Sequence, residues 1–222
     1  MGEAKKKIIV GLRQASGRYS EYEVFTDWIR CCAIAISNQC TMFHGDIWQQ
    51  REDAYISTMK KYERDEREIL REMFFMLADA LEEKFSDVLG EIYMEEEMGS
   101  KSAGQFFTPY HVSKLCARLA LEKLKPDESG IWHINEPSCG GGGMIIAALD
   151  LLRERGVDYQ RKVRVVAQDL DWMAAYMCYV QLSLYGIKGI VVQGDTLAQP
   201  YDPKTTEPRR ILRTPAKMGV LV

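Results

Sequence analysis

No apolar run in this sequence reaches the roughly 20 residues needed to cross a bilayer, and no two of its cysteines form a Cys-x-x-Cys pair. Basic charge is not in excess: 29 Lys and Arg stand against 32 Asp and Glu, a net charge of −3. There is no low-complexity tract and no internal repeat. These absences argue against a membrane span, a disulfide framework and a global field that would draw in nucleic acid. "IIVGL" is too short for the apolar core of a secretory signal, and "MGEAKK" has Lys6 where a myristoylation signal needs Ser or Thr. Free thiols in a reducing compartment are the simple reading of the six cysteines, so a cytoplasmic protein is expected. Cys31, Cys32, Cys40 and His44 could be drawn as a zinc set. The cysteines fit one apolar helix face better, as small hydrophobes, and no metal is expected.

What is present is 222 residues, 46% of them apolar and 27% charged. That suits one large globular domain, or a medium domain with a helical appendage. The first twenty residues are polar and glycine-bearing and read as a loose arm, with Lys5–Lys7 as a solvated face. "YEVFTDWIRCCAIAISNQ" (22–39) spaces Phe25, Trp28, Ile29, Cys32, Ala33 and Ile36 as one helix face, and 62–96 continues with Ile69, Met73, Leu77 and Leu81. Residues 21–97 therefore read as a helical domain. "MGSKSAGQ" (98–105) breaks the pattern and marks a boundary. From 98 to 222 the character changes. A helix is expected at 108–124, with Thr108 as N-cap and Pro109 in its first position. Strands at 131–137, 163–169 and 189–195 alternate with helices at 144–156 and 171–186, and 217–222 could begin a fourth strand. This alternation predicts an α/β parallel sheet of the doubly wound kind.

Within that pattern, "NEPSCGGGGM" (135–144) places four glycines between a strand and a helix. In such folds the strand–helix turn lets a ligand meet backbone amides and the helix N-terminus. Asp169, at the tip of the second strand, could accept hydrogen bonds from both hydroxyls of a ribose. Asp195, at the tip of the third, could receive the exocyclic amine of an adenine. Each signal has a plainer reading: a structural turn for the glycines, helix capping for Asp169 and Asp171, a turn start for Asp195. The glycines fit neither GxGxxG nor GxxxxGK[ST], which argues against a dehydrogenase-like domain and a phosphate loop.

"GQFFTP" (104–109), "EPSCGGGGM" (136–144), "AQDLD" (167–171) and "GDTL" (194–197) together resemble the modification subunit of type I restriction systems. "SDVLGEIYMEEEMGSKSAGQFFTP" resembles that family's passage from helical to catalytic domain, and the likeness spans about residues 65–200. "VFTDWIRCCAIAISNQ" looks like small relatives carried on mobile elements. The resemblance implies an S-adenosylmethionine-dependent adenine-N6 DNA methyltransferase: a helical domain followed by an incomplete Rossmann-like sheet. It implies that Phe107, Thr108 and Pro109 flank the methionine end of the cofactor. Glu136, Pro137, Cys139, Gly140, Gly142 and Gly143 would form the cofactor loop, Asp169 would hold the ribose, and Asp195 would lie near the adenine. Glu136 stands where the family more often has Asp, and Gly141 where it more often has Ser. The family's catalytic tetrapeptide, Asn or Asp followed by Pro-Pro and an aromatic, is missing, because no two of the seven prolines are adjacent. No catalytic residue is therefore assigned. The implied partners are DNA, through partner subunits, and a second copy or partner protein covering an incomplete sheet. The rival reading is a non-enzymatic module derived from a methyltransferase.

Overall fold

Residues 2–41, 44–96 and 106–220 are described by a computed structural model. The chain opens with helix α1 (Glu3–Ala15), not with the loose arm expected there. Ile8, Ile9, Leu12 and Ala15 form a stripe that is almost wholly buried, and α1 lies along α4 (Arg64–Glu83). Gly11, read in the sequence as a mark of looseness, instead permits close packing: a Cβ there would sit 2.8 Å from Met73 Cγ. Lys5 is not solvated either. It is 5% exposed, and its Nζ donates to Glu91 Oε2 at 2.9 Å and Glu95 Oε1 at 2.7 Å.

Ser20 caps α2 (Glu21–Gln39) by accepting the Glu23 amide. Helix α3 (Asp46–Met59) follows, which sequence periodicity had not separated. The long helical stretch expected over 62–96 is broken in two, α4 and α5 (Val88–Glu95). The break is made by Asp87, whose carboxylate accepts the Gly90 amide at 2.9 Å as an N-cap. The boundary expected at 98–105 lies outside the described residues.

Helix α6 (Tyr110–Lys123) starts one residue later than expected: Pro109 is its N-cap, and no side chain caps it, so Thr108 does not play that part. Then come β1 (Trp132–Glu136), α7 (Gly143–Glu154), α8 (Tyr159–Lys162), β2 (Val163–Asp169), α9 (Trp172–Leu184) and β3 (Lys188–Gln193). The chain continues through β4 (Ile211–Arg213) and α10 (Pro215–Met218). The sheet order is β1-β2-β3-β4, with the first two pairings parallel and β3–β4 antiparallel. The sheet is thus mixed. The strand expected at 217–222 is instead preceded by one at 211–213, and Lys217 and Met218 are helical. The reason is local: Thr214 caps α10 by accepting the Lys217 amide, Pro215 fills its first position, and Gly219, with φ +80°, ends it.

Val163, Val165, Ala167 and Val191 are buried beneath α9, which is itself apolar all round. It needs to be, because α2 packs on its other side and joins the helical half to the sheet. Both parallel crossovers run the same way across the sheet, so right-handedness puts α7 and α9 on one face. On the opposite face His133 and Asn135 are exposed, and Arg164, Val166, Lys188 and Ile190 are half-buried. Among the described residues the winding is therefore one-sided, where a doubly wound sheet was expected.

Candidate cofactor site

The glycine turn falls between β1 and α7. Gly140 and Gly142 have φ of +51° and +97°, the left-handed region that disfavours a side chain. Crowding also demands glycine. A Cβ at Gly140 would lie 2.9 Å from the Phe107 ring, and one at Gly143 would lie 2.7 Å from Asp87 Oδ2. The bare backbone lets Phe107 and Asp87 close on the turn from the helical side.

Asp169 holds the turn from the sheet side. Its Oδ2 accepts the Gly140 amide at 2.8 Å and its Oδ1 the Asp171 amide at 3.0 Å. Each oxygen keeps a second lone pair for another donor. Asp171, as its plainer reading proposed, caps α9, accepting the Met173 and Ala174 amides. The Cys139 amide bonds to Gln168 O at 2.9 Å, fixing the turn against the end of β2.

These residues enclose a cavity of about 320 Å³ whose walls include Phe107, Thr108, Ser113, Cys139, Gly140 and Asp169. Gly143 lines it too, whereas Pro109, Glu136, Pro137, Gly142 and Asp195 do not. Pro109 is the N-cap of α6, Gly142 caps α7, and Glu136 accepts the Ser138 amide at 3.3 Å, its carboxyl pushed up by burial and then by Asp169. Asp195 is exposed and starts a turn, its Oδ1 accepting the Leu197 and Ala198 amides. That turn is tied back to the glycine side by Thr196 Oγ1, which donates to Pro137 O.

Two wall residues, Asp87 and Ser113, and Gln181 behind them were not singled out by sequence reasoning. Asp87 is 4% exposed, and burial pushes its carboxyl above the usual range, against the lowering effect of its bonds from Gln181 and the Gly90 amide. Gln181 of α9 donates from Nε2 to Asp87 Oδ1 at 2.7 Å and to Gly141 O at 2.8 Å, and its Oε1 accepts the Leu89 amide at 3.2 Å. One amide thus clasps the helical half to the glycine turn. The third is Ser113 of α6. It is 0% exposed, and among the described residues its Oγ has no hydrogen-bond partner. That Oγ lies 3.6 Å from where a Gly143 side chain would begin. Asp87 carried a sequence signal as a helix cap before an apolar run. Ser113 and Gln181 carried none, because their roles depend on contacts between distant segments. A larger neighbouring cleft of about 1100 Å³ includes Lys114 and Asp150, where Lys114 is already paired with Asp150 and Glu154.

The cavity therefore offers a glycine turn at a helix N-terminus, a carboxylate at the end of the second strand and an unpaired buried hydroxyl. On this sheet these define a Rossmann-like methyltransferase fold, incomplete and preceded by helices. A proposed class I S-adenosylmethionine-dependent methyltransferase from Listeria monocytogenes superposes with a TM-score of 0.50 at 16% identity, covering 89% of this chain and 55% of that one. The chain belongs to the N-6 DNA methylase family, whose model matches residues 84–215. Among curated relatives, the type I restriction enzyme MpnII methylase subunit of Mycoplasma pneumoniae is 25% identical over 139 residues, 59% of this chain and 24% of that protein. The type I restriction enzyme MjaIX methylase subunit of Methanocaldococcus jannaschii is 31% identical over 113 residues, 49% of this chain and 19% of that protein. The matched region thus spans a quarter or less of these relatives' length.

Proposed function

We propose that this chain binds S-adenosylmethionine in the cavity between Phe107, the glycine turn and Asp169, and serves the cofactor side of adenine-N6 DNA methylation in company with partner subunits. The observation that carries the reading is the convergence of Phe107, Cys139, Gly140, Gly143 and Asp169, distant in sequence, on one cavity containing an unpaired buried hydroxyl. Asp169 is assigned to the ribose through its free lone pairs. Thr108 and Ser113 are assigned to the methionine end, with Pro109 behind them as the N-cap of α6, and Asp195, on the turn tied to Pro137 outside the cavity wall, to the adenine end. Glu136, Pro137 and Gly142 shape the turn from behind. When bound, the cofactor supplies an electrophilic methyl group.

The DNA side needs groups that accept the adenine amine's protons and a ring to stack on the extruded base. With no adjacent prolines, these 222 residues do not supply the family's tetrapeptide. Methyl transfer is therefore assigned to an assembly in which that element is present. This is also the observation behind the rival reading, a non-catalytic binding module.

Titration calorimetry is expected to show a 1:1 complex with S-adenosylmethionine or its demethylated product, weakened by Asp169→Ala. No heat and no thermal shift at millimolar ligand would overturn the cofactor reading. A radiolabelled methyl-transfer assay separates the two readings of function: the chain alone should give no incorporation into DNA. Partner subunits that restore it support the methylation role, and saturated complexes that stay inactive favour the binding module.

A further inference from the structure

Outside the cofactor cavity, a second cleft of about 360 Å³ opens where the helical half meets the sheet. Its walls include Arg30 of α2, Arg51 of α3, Arg209 and Arg210 before β4, and Trp172 and Tyr176 of α9. Among the described residues no Asp or Glu lines it. In a chain of net charge −3, four arginines facing one concavity are a local inversion of the protein's overall sign.

Two of these guanidinium groups are fixed by neutral oxygens. Arg51 Nη1 donates to Ser37 Oγ at 2.7 Å and Nη2 to Ile211 O at 3.2 Å. Arg210 Nε donates to Gln193 O and Nη1 to Gln199 Oε1, each at 2.6 Å. Among the described residues, neither these two nor Arg30 has a carboxylate within ion-pair distance, whereas Arg209 pairs with Glu207 at 2.7 Å. Half-buried Arg51 is held below the usual arginine range by burial, with the charge of Arg213 adding to that lowering. Positive charge kept partly out of water with no counter-charge favours an anionic ligand. Beside it, the Trp172 and Tyr176 rings stack at 5.0 Å with an interplanar angle of 27°. A basic groove with aromatic rings is the chemistry that follows a single strand: guanidinium groups track phosphates and flat rings receive bases. Trp172 follows the end of β2 and Gln193 ends β3, so the cleft opens on the same rim of the sheet as the glycine turn.

We infer that this arginine–aromatic cleft binds the phosphodiester backbone of a single-stranded nucleic acid segment, with a base against Trp172. The site is separate from the cofactor cavity, and its binding is measured without cofactor, so failure of one reading leaves the other standing.

The experiment is fluorescence anisotropy of the full chain with a labelled single-stranded oligonucleotide of about a dozen nucleotides, titrated between about 50 and 200 mM salt. Arg30→Gln combined with Arg209→Gln should lower affinity at least tenfold. It should also flatten the plot of log affinity against log salt by about 1.4, two phosphate contacts at roughly 0.7 each. Trp172→Ala should weaken binding while leaving the slope unchanged. Thermal melting of each variant reports whether it is folded, and both arginines are at least partly exposed, so the double variant should melt like the parent. Unaltered binding by the folded double variant, displacement of the oligonucleotide by equimolar inorganic phosphate, or binding to duplex but not single strands would overturn the inference.

Discussion

At the scale of single residues, Ser113 combines two opposed effects. A buried hydroxyl without a partner costs about 1–3 kcal/mol, yet this one lines the cavity that the glycines and Asp169 close. Ser113→Ala should therefore leave the free protein at least as stable as the parent. If the hydroxyl bonds a charged end of S-adenosylmethionine, the same change should weaken binding about ten- to a hundredfold, from the roughly 1.5–3 kcal/mol of such a bond. Melting curves with and without the cofactor check both halves, and an unchanged ligand-induced shift would show the hydroxyl to be a bystander. The glycine turn and Asp169 were legible in the sequence because their chemistry is carried by neighbours along the chain. Ser113 and Gln181 were not, since a serine or glutamine on an amphipathic helix says nothing of what another segment will bring to it.

At the scale of elements, helices and parallel strands were legible wherever periodicity was clean: β2 was expected at 163–169 and is found there. Two kinds of element escaped. Helix α1 was hidden by its lysines and its glycine, because the stripe of Ile8, Ile9, Leu12 and Ala15 acquires meaning only against α4. The three-residue β4 is too short to show any period, and pairing with β3 alone makes it a strand. Helix α2 carries the largest fully buried side chain, Trp28, at 1% exposure with its Nε1 unpaired. Trp28→Ala should cost about 3–5 kcal/mol through the cavity left behind. Trp28→Phe should cost far less, because its ring refills most of that volume, while both changes remove the same unsatisfied donor, worth about 1–3 kcal/mol. Urea denaturation midpoints of the two variants should separate clearly, and equal losses would mean that the surrounding side chains close the larger cavity as fully as the smaller one.

At the scale of the whole molecule, two acids contribute a stability that falls as pH rises, opposite in sign to the contribution of Asp150, whose carboxyl, against the raising effect of burial, Lys114 and Arg153 lower. Burial raises the Asp87 carboxyl, and Glu136 shifts the same way. A raised acid holds its proton in the folded state after the unfolded chain has released it. Its contribution is fully present below the ordinary aspartate value of about 3.9, and it is lost as pH rises through the folded value. Asp87→Asn keeps an oxygen for Gly90 and Gln181 and should flatten that decline, measured as urea midpoints from about pH 4 upward. A decline as steep as the parent's would place its origin elsewhere. The sheet order has a further consequence. Strand β1 has one neighbour, β2, among the described residues, while β2 and β3 are each paired on both sides. The cavity thus has one wall that follows an edge strand and another, at Asp169, that ends a strand paired on both sides. In terms of native-state isotope exchange, amides of β1 are expected to report a sub-global opening, whereas those of β2 should report global unfolding. A ligand bridging the two walls would bring the protection of the first toward that of the second.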